Sequence, residues 1–173
     1  MVSIILKKIN RRLDFIKNTN LYSFKNANAI PELKKHYAFS EKFASTFPKT
    51  SVYNLVFTGS VGTGKTHLSK CIFTELTSKG YNSLFLSATE LNNLFLKMHI
   101  GELDRVLTLE MLAECDLLII DDLGVEPMYN NVTVEYLLAT LSLRIQNKKH
   151  FIITTNLTHN EILSRYGERL LSR

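Results

Sequence analysis

One eight-residue segment restricts the folds open to this chain more than any other part of the sequence. Residues 59–66 read Gly-Ser-Val-Gly-Thr-Gly-Lys-Thr and fit the pattern G-x-x-x-x-G-K-[S/T]. A strand-like run over residues 52–58 leads into this segment, and a one-sided helical pattern over residues 66–79 follows it. A strand, a glycine-rich turn and a helix in this order predict a loop whose backbone N–H groups surround phosphate oxygens at a helix N-terminus.

The residue types of this phosphate loop (residues 59–66) indicate its chemistry. Its glycines let the backbone turn inward, Lys65 would reach the β and γ phosphates of a nucleotide, and the Thr66 hydroxyl would bind Mg²⁺. A glycine-rich turn without a ligand is the alternative, which the flanking strand and helix disfavour. The expected phosphate-binding residues are Gly59, Ser60, Val61, Gly62, Thr63, Gly64, Lys65 and Thr66.

Strand-like and helical patterns alternate along the rest of the chain. The pattern predicts a strand over residues 117–121, whose aliphatic run 117–120 is typical of a strand that is buried on both faces of a parallel sheet. Residues 81–87 and 151–155 are also strand-like, and helical patterns of about 10 to 15 residues separate the strands. We therefore expect an α/β fold in which helices cover both faces of a parallel sheet and ligands bind beyond the carboxyl ends of the strands.

Acidic and amide side chains follow two of these strands. Asp121 and Asp122 come directly after the aliphatic run, and Asn156 follows Thr154-Thr155 at the end of the fourth strand. Burying a carboxylate costs several kcal/mol unless a cation compensates it. Beside the phosphate loop, Asp121 would hold Mg²⁺ and Asp122 would be the general base for an attacking water. Asn156 would either orient that water or contact the γ-phosphate. The alternatives are a solvated acidic pair and an ordinary turn asparagine.

The net charge of +5 is distributed unevenly. Residues 1–50 contain 10 lysines and arginines against 3 acidic residues, whereas residues 51–173 contain 11 against 13. Apolar spacing predicts a basic amphipathic helix over residues 2–17 and another helix over residues 31–47. We expect a basic helical N-terminal segment (1–50) and a catalytic core (51–173). The basic segment favours contact with nucleic acid, an anionic surface or an acidic partner, and a solvated face is the alternative.

Composition excludes several classes of protein. With 45% hydrophobic residues the chain is unlike a disordered protein, and its aliphatic runs are far shorter than the ~20 residues that span a bilayer. Its cysteines, Cys71 and Cys115, lack the spacing of a metal site or a disulfide framework. We therefore expect a cytoplasmic protein without membrane contact.

The order of the motifs resembles that of the AAA+ ATPases, which are P-loop NTPases. The phosphate loop is followed by Asp121-Asp122-Leu123-Gly124, by Thr154-Thr155-Asn156, and by the sequence Tyr-Gly-Glu-Arg-Leu-Leu-Ser-Arg over residues 166–173. More narrowly, Gly62-Thr63-Gly64-Lys65-Thr66-His67-Leu68 is similar to replicative helicase loaders of the DnaC/DnaI type, with IstB-type transposition helpers as close relatives. The resemblance covers about residues 50–173 and implies ATP and Mg²⁺ as cofactors, with His67 in the nucleotide motif.

The resemblance also implies roles for single residues. Lys65 and Thr66 match the Walker A motif, Asp121 and Asp122 the Walker B pair, and Asn156 the polar sensor. Arg173, with Arg169 as the other candidate, matches the arginine finger that completes the next subunit's site, so we expect slow ATP hydrolysis that improves on assembly. Asp122 stands where most AAA+ enzymes have glutamate, which suits a slow switch. The family usually continues into a fifth strand, so we expect a core without its last strand and without a separate lid domain.

Partners follow from the same resemblance. Loaders assemble as a spiral or ring on single-stranded DNA and hold a hexameric replicative helicase. Residues 127–131 resemble the DNA-facing part of loaders, so Tyr129 would stack on a base and Asn130 and Asn131 would donate to phosphates, with an ordinary loop as the alternative. Tyr22 and Phe24 would either cover the adenine or pack in the core.

The leading expectation is an ATPase that loads a replicative helicase onto single-stranded DNA. The first alternative is an ATPase that binds double-stranded DNA and assists a transposase. The second is an ATP-gated adaptor that does not hydrolyse ATP. A preference for single-stranded or double-stranded DNA separates the helicase loader from the transposase helper. Undetectable ATP turnover despite ATP binding would favour the adaptor.

Overall fold

The computed structural model describes residues 22–26 and 33–172, and the predicted basic helix over residues 2–17 and the finger candidate Arg173 lie outside them. A short 3₁₀ turn spans Phe24–Asn26. No helix within the described residues is long and apolar enough to cross a membrane. The further elements are α1 (Lys34–Thr46), β1 (Asn54–Thr58), α2 (Lys65–Ser78), β2 (Ser83–Ser87), α3 (Ala88–His99), α4 (Arg105–Glu114), β3 (Leu117–Leu123), α5 (Thr133–Gln146), β4 (His150–Thr155), α6 (His159–Tyr166) and α7 (Glu168–Leu171).

The four strands of the described residues form one parallel sheet in the order β1-β4-β3-β2. Strand β3 is therefore central, between β4 and β2, and β1 pairs with β4. The carboxyl ends of β1, β3 and β4 meet at one edge of this sheet, which brings the phosphate loop close to the predicted acidic and amide residues.

Helices cover both faces of the sheet, and the alternation of side chains along β3 shows how. Leu117 and Ile119 belong to an apolar cluster with α1 and α2, where Phe43, Ile72 and Phe73 are buried. Leu118 and Ile120 face the other way and belong to the larger cluster, which contains buried residues of α3 to α7. The predicted α/β fold with helices on both faces is confirmed.

Strand β3 continues past the predicted end at residue 121 as far as Leu123. Its pairing register with β4 shifts between Ile120 and Leu123, and Asp122 adopts a left-handed φ of 57° at this shift. A bulge changes the direction of the side chains beyond it. The two adjacent acids consequently differ in environment: Asp121 is buried, whereas Asp122 is half-exposed.

Arg144 of α5 connects three elements at the amino end of the sheet. It is fully buried, and its guanidinium donates hydrogen bonds to the carbonyl oxygens of Leu112 (2.6 Å), Cys115 (2.9 Å) and His150. Leu112 lies in the last turn of α4, where backbone carbonyls have no partner within the helix. The arginine therefore satisfies the end of α4 and fixes it against the beginnings of β3 and β4.

Candidate nucleotide-binding site

The phosphate loop connects the carboxyl end of β1 to the first residue of α2. Gly64 immediately precedes the helix with a φ of +85°, a left-handed conformation that a side chain would strain. No side chain caps the N-terminus of α2. Its first backbone N–H groups and the positive end of its dipole are thus directed at the loop, as an anion site requires.

Lys65 lies inside this loop and is only 9% exposed. Its ammonium donates hydrogen bonds to the carbonyl oxygens of Gly59 and Ser60, both at 2.8 Å, and lies 3.4 Å from the Thr63 hydroxyl. No carboxylate of the described residues pairs with it. The ammonium therefore retains an uncompensated positive charge beside the helix N-terminus, and this charge fits a bound phosphate.

Thr66, Asp121 and Thr154 meet at the mouth of the loop. The Asp121 Oδ1 atom accepts hydrogen bonds from the hydroxyls of Thr66 (2.9 Å) and Thr154 (2.7 Å). Burial raises the pKa of Asp121 and the nearby Asp122 adds to the increase, although the two hydroxyls act in the opposite direction. A buried carboxylate beside a threonine hydroxyl is an oxygen set that suits Mg²⁺, which prefers one or two protein oxygens together with phosphates and water.

Asp122 is held through its backbone rather than its side chain. Its N–H donates to the Thr154 hydroxyl at 2.9 Å, and its half-exposed carboxylate has no hydrogen-bond partner among the described residues. Asn156 is exposed just beyond β4, the strand that pairs with β3. Both side chains are therefore available to a water molecule at this edge of the sheet.

A cleft of about 200 Å³ continues from the phosphate loop towards α1. One wall is formed by β1 and another by three residues at the beginning of α1, namely Leu33, His36 and Tyr37. The Tyr37 hydroxyl lies 3.0 Å from Nδ1 of His67, which anchors α1 to α2 beside the cleft. An apolar cleft that adjoins a phosphate site is a suitable place for a nucleotide base.

Tyr22 and Phe24 occupy a different place from this cleft. Both pack against the cluster of α1 and α2, and the Tyr22 ring lies 5.6 Å from the His67 ring with Lys70 Nζ 4.9 Å from its centroid. Neither residue lines the cleft. The structure thus agrees with core packing, the second of the two roles considered for them.

The residues predicted to contact DNA have unequal exposure. Tyr129 is half-buried and packs against the larger apolar cluster, and its N–H donates to the Thr133 hydroxyl at 2.9 Å. Asn130 and Asn131 are exposed in the turn before α5. DNA contact by these three residues stays a prediction.

Arg169, the finger candidate within the described residues, is exposed on α7. Its guanidinium has no hydrogen bond or ion pair with the rest of the described chain. An arginine that completes a neighbouring subunit's site has to be exposed in this way, and its role stays a prediction.

The family to which this fold and site belong follows from comparison with known proteins. The sequence model of the IstB-like ATP-binding protein family matches residues 13–173. The chain belongs to the IstB-like ATP-binding protein family. It is also 28% identical over 138 residues to the replicative helicase loader DnaC of Buchnera aphidicola, and 28% identical over 127 residues to that of Escherichia coli K12. These alignments cover 78% and 71% of the chain but only 54% and 50% of the relatives, so the chain spans about half their length.

Solved structures agree on the fold. A crystal structure of the DnaC helicase loader matches with a TM-score of 0.74 and 24% identity, over 87% of this chain and 90% of that one. The replication initiator DnaA bound to AMPPCP and single-stranded DNA matches with a TM-score of 0.78 and 22% identity, over 90% of this chain and 47% of that one. The predicted AAA+ fold and the resemblance to the DnaC loaders are confirmed.

Sequence reasoning missed three parts of the site. The sequence presents Thr154 only as part of a motif, although its hydroxyl holds both acids. The sequence also groups α1 with the N-terminal segment, so it gives no sign that α1 forms a wall of the cleft. Glu126, buried in the turn after the acids, gave no signal except its closeness to them in sequence.

Proposed function

We propose that this protein is a Mg²⁺-dependent ATPase that loads a replicative helicase onto single-stranded DNA. The observation that carries the proposal is the meeting of Lys65, Thr66 and Asp121 at one edge of an AAA+ sheet, in a chain similar to DnaC loaders. Lys65 and Thr66 belong to the phosphate loop and Asp121 to the end of β3, 55 residues after Thr66. Their convergence has a direct chemical purpose in phosphate and metal binding.

The chain's own residues account for ATP binding. The N–H groups at the beginning of α2 and the Lys65 ammonium would hold the phosphates, and the cleft beside α1 would hold the base. Thr66 and Asp121 would hold Mg²⁺, which neutralises charge on the phosphates. Lys65 must then exchange its bonds to the carbonyls of the loop for bonds to phosphate oxygens.

Hydrolysis needs groups from two subunits in this proposal. Asp122 would accept a proton from the attacking water, and Asn156 would orient that water. Arg169 or Arg173 would approach the site of the adjacent subunit, where an arginine finger contributes about 10³–10⁵ in rate. The single chain should therefore hydrolyse ATP slowly, and turnover should rise with assembly into a spiral or ring.

The proposed partners derive from the relatives. Two are DnaC replicative helicase loaders, and a structural neighbour of the same fold is bound to single-stranded DNA. The predicted basic helix over residues 2–17 is the proposed docking element for the helicase hexamer, since basic side chains surround its apolar face. Asn130 and Asn131 are the proposed DNA contacts, because they are exposed in the turn before α5.

A transposase helper that binds double-stranded DNA is the second candidate, because the matching family is described as IstB-like. A reconstituted assay separates the two. The protein is mixed with ATP, the replicative helicase of the same organism, and forked DNA that is coated with single-strand-binding protein. We expect wild type to permit unwinding and Lys65→Ala to prevent it. No unwinding, together with ATP turnover that only double-stranded DNA accelerates, would refute the loader and favour the helper.

A further inference from the structure

One buried carboxylate connects two segments of the chain that are far apart in sequence. Glu126 is only 2% exposed, and its Oε2 atom accepts a hydrogen bond from the N–H of Gly124 (2.8 Å). Its Oε1 atom accepts a hydrogen bond from the Tyr166 hydroxyl and lies 4.0 Å from Nε of Arg165. The Arg165 guanidinium also donates to the backbone oxygen of Glu126. The same residue thus binds the turn after β3 and the end of α6.

Packing alone does not explain an acid at this position. Burying a carboxylate costs several kcal/mol, and an apolar side chain of similar volume would fill the space without that cost. Burial and the adjacent Glu126 also raise the pKa of Tyr166, so this tyrosine remains a hydrogen-bond donor. What the acid adds is a fixed geometry between the two segments that it joins.

The first segment leads back to the proposed metal and water site. Gly124 has a φ of +115°, and a Cβ atom there would lie 2.7 Å from Leu157 Cδ1, so this turn is closely packed on the chain before α6. Two residues earlier, the Asp122 N–H is fixed by Thr154. Residues 121–126, hereafter the acidic turn, are therefore held at both ends.

The second segment leads to the proposed arginine finger. Tyr166 is the last residue of α6, and Gly167 then redirects the chain into α7. Arg169 is exposed on α7, whereas its neighbour Leu170 is buried in the larger cluster. The position of Tyr166 consequently determines where α7 presents Arg169.

We propose that Glu126 is a positioning residue that fixes the corner of α6 and α7 (residues 165–169) against the acidic turn, and so directs the finger arginine towards the next subunit. This inference rests on the proposed function, because a finger acts only in an assembled ATPase. The expected role is indirect, because Glu126 is buried and acts through its contacts with Tyr166 and Arg165.

The first test is amide hydrogen exchange on the full chain without nucleotide. Glu126→Leu keeps the volume and removes the polar links, so exchange over residues 165–172 should become at least about fivefold faster while the phosphate loop is unchanged. Glu126→Gln can still accept from Gly124 and donate to the tyrosine oxygen, and it should restore most of the protection. Glu110→Leu, at an exposed position of α4, is the matched control. Unchanged exchange at 165–172 would overturn the inference and leave the proposed function standing.

The second test assigns the defect to a subunit. Chains with both Arg169→Ala and Arg173→Ala keep the nucleotide site but provide no finger, and Lys65→Ala chains provide the finger but have an impaired nucleotide site. ATP turnover of their mixture therefore reports the finger in trans. Adding Glu126→Leu to the finger-providing Lys65→Ala chain should reduce this turnover about tenfold or more, because a finger contributes about 10³–10⁵ in rate. Adding it to the other chain should have the smaller effect, because Thr154 and Leu157 still hold the acidic turn there.

The outcomes are distinguishable. A defect that follows the nucleotide-binding chain would overturn the inference, because Glu126 would then act on its own subunit's site. Wild-type turnover that does not rise with protein concentration or in mixtures would instead overturn the proposed hydrolysis in trans, and the inference with it.

Discussion

Thr154→Val tests whether the Thr154 hydroxyl orders the two acids of the site, because the substitution replaces this hydroxyl by a methyl group of similar size. This hydroxyl donates to Asp121 Oδ1 at 2.7 Å and accepts from the N–H of Asp122 at 2.9 Å. Thr154 itself is fully buried. The substitution therefore removes two hydrogen bonds at the acids and exposes no new surface.

The expected loss of stability can be worked from these contacts. A hydrogen bond to a charged group contributes about 1.5–3 kcal/mol, and a buried N–H without a partner costs about 1–3 kcal/mol. Asp121 retains its hydrogen bond from the Thr66 hydroxyl, and Asp122 is half-exposed. The cost of the lost hydrogen bond and the cost of the unpaired N–H should therefore both lie near their lower limits. We expect the free energy of unfolding to fall by about 2–3 kcal/mol, and ATP turnover to fall about 10- to 100-fold, as for other residues that orient metal ligands.

Urea unfolding and steady-state ATP turnover measure the two effects separately. Thr154→Ser keeps the hydroxyl and should restore most of the turnover. Thr140→Val is the matched control, because that buried hydroxyl bonds only within its own helix, to the carbonyl of Tyr136. Turnover within about twofold of wild type in the valine variant, despite a measured loss of stability, would refute the reasoning that Thr154 orders the acids.

Three further predictions concern single residues. Folding raises the pKa of Asp121, so the stability that this carboxyl group contributes is lost as the pH rises from about 4 through that raised value. Asp121→Asn without nucleotide should therefore be more stable than wild type at pH 7, and this difference should shrink towards pH 4. Urea unfolding that shows a weaker variant at pH 7 would contradict this prediction. Gly124→Ala should lower the free energy of unfolding in urea by about 1–3 kcal/mol more than Gly80→Ala does. Both glycines have a positive φ, but only a Cβ atom at position 124 would clash, with Leu157. Equal losses for the two variants would contradict this prediction. Arg144→Ala should lower the free energy of unfolding by about 3–5 kcal/mol, because it leaves several buried carbonyls without a donor, and a melting temperature within about 2 °C of wild type would refute that role.

The parts of the fold that the sequence predicts are those with a local cause. The spacing of glycines between a strand and a helix predicts the phosphate loop, and the aliphatic run before Asp121 is typical of a central parallel strand. Because the carboxyl ends of parallel strands share one edge, the meeting of the loop with the acids also follows from the pattern.

The parts that escaped prediction depend on contacts between distant segments. Thr154 reaches the acids only because β4 pairs with β3 and because the register shifts at residue 122. Glu126 meets Tyr166 across 40 residues of sequence, and the base cleft needs α1 to pack on α2. None of these contacts has a periodicity or spacing that a single sequence would reveal.

The most direct test of the central claim is the rate of ATP hydrolysis by wild type and Lys65→Ala, each alone and with single- or double-stranded DNA. A helicase loader with this site should show a slow basal rate that depends on Lys65, and single strands should raise that rate while double strands should not. ATP binding without any acceleration by single-stranded DNA, or equal rates for wild type and Lys65→Ala, would contradict the account.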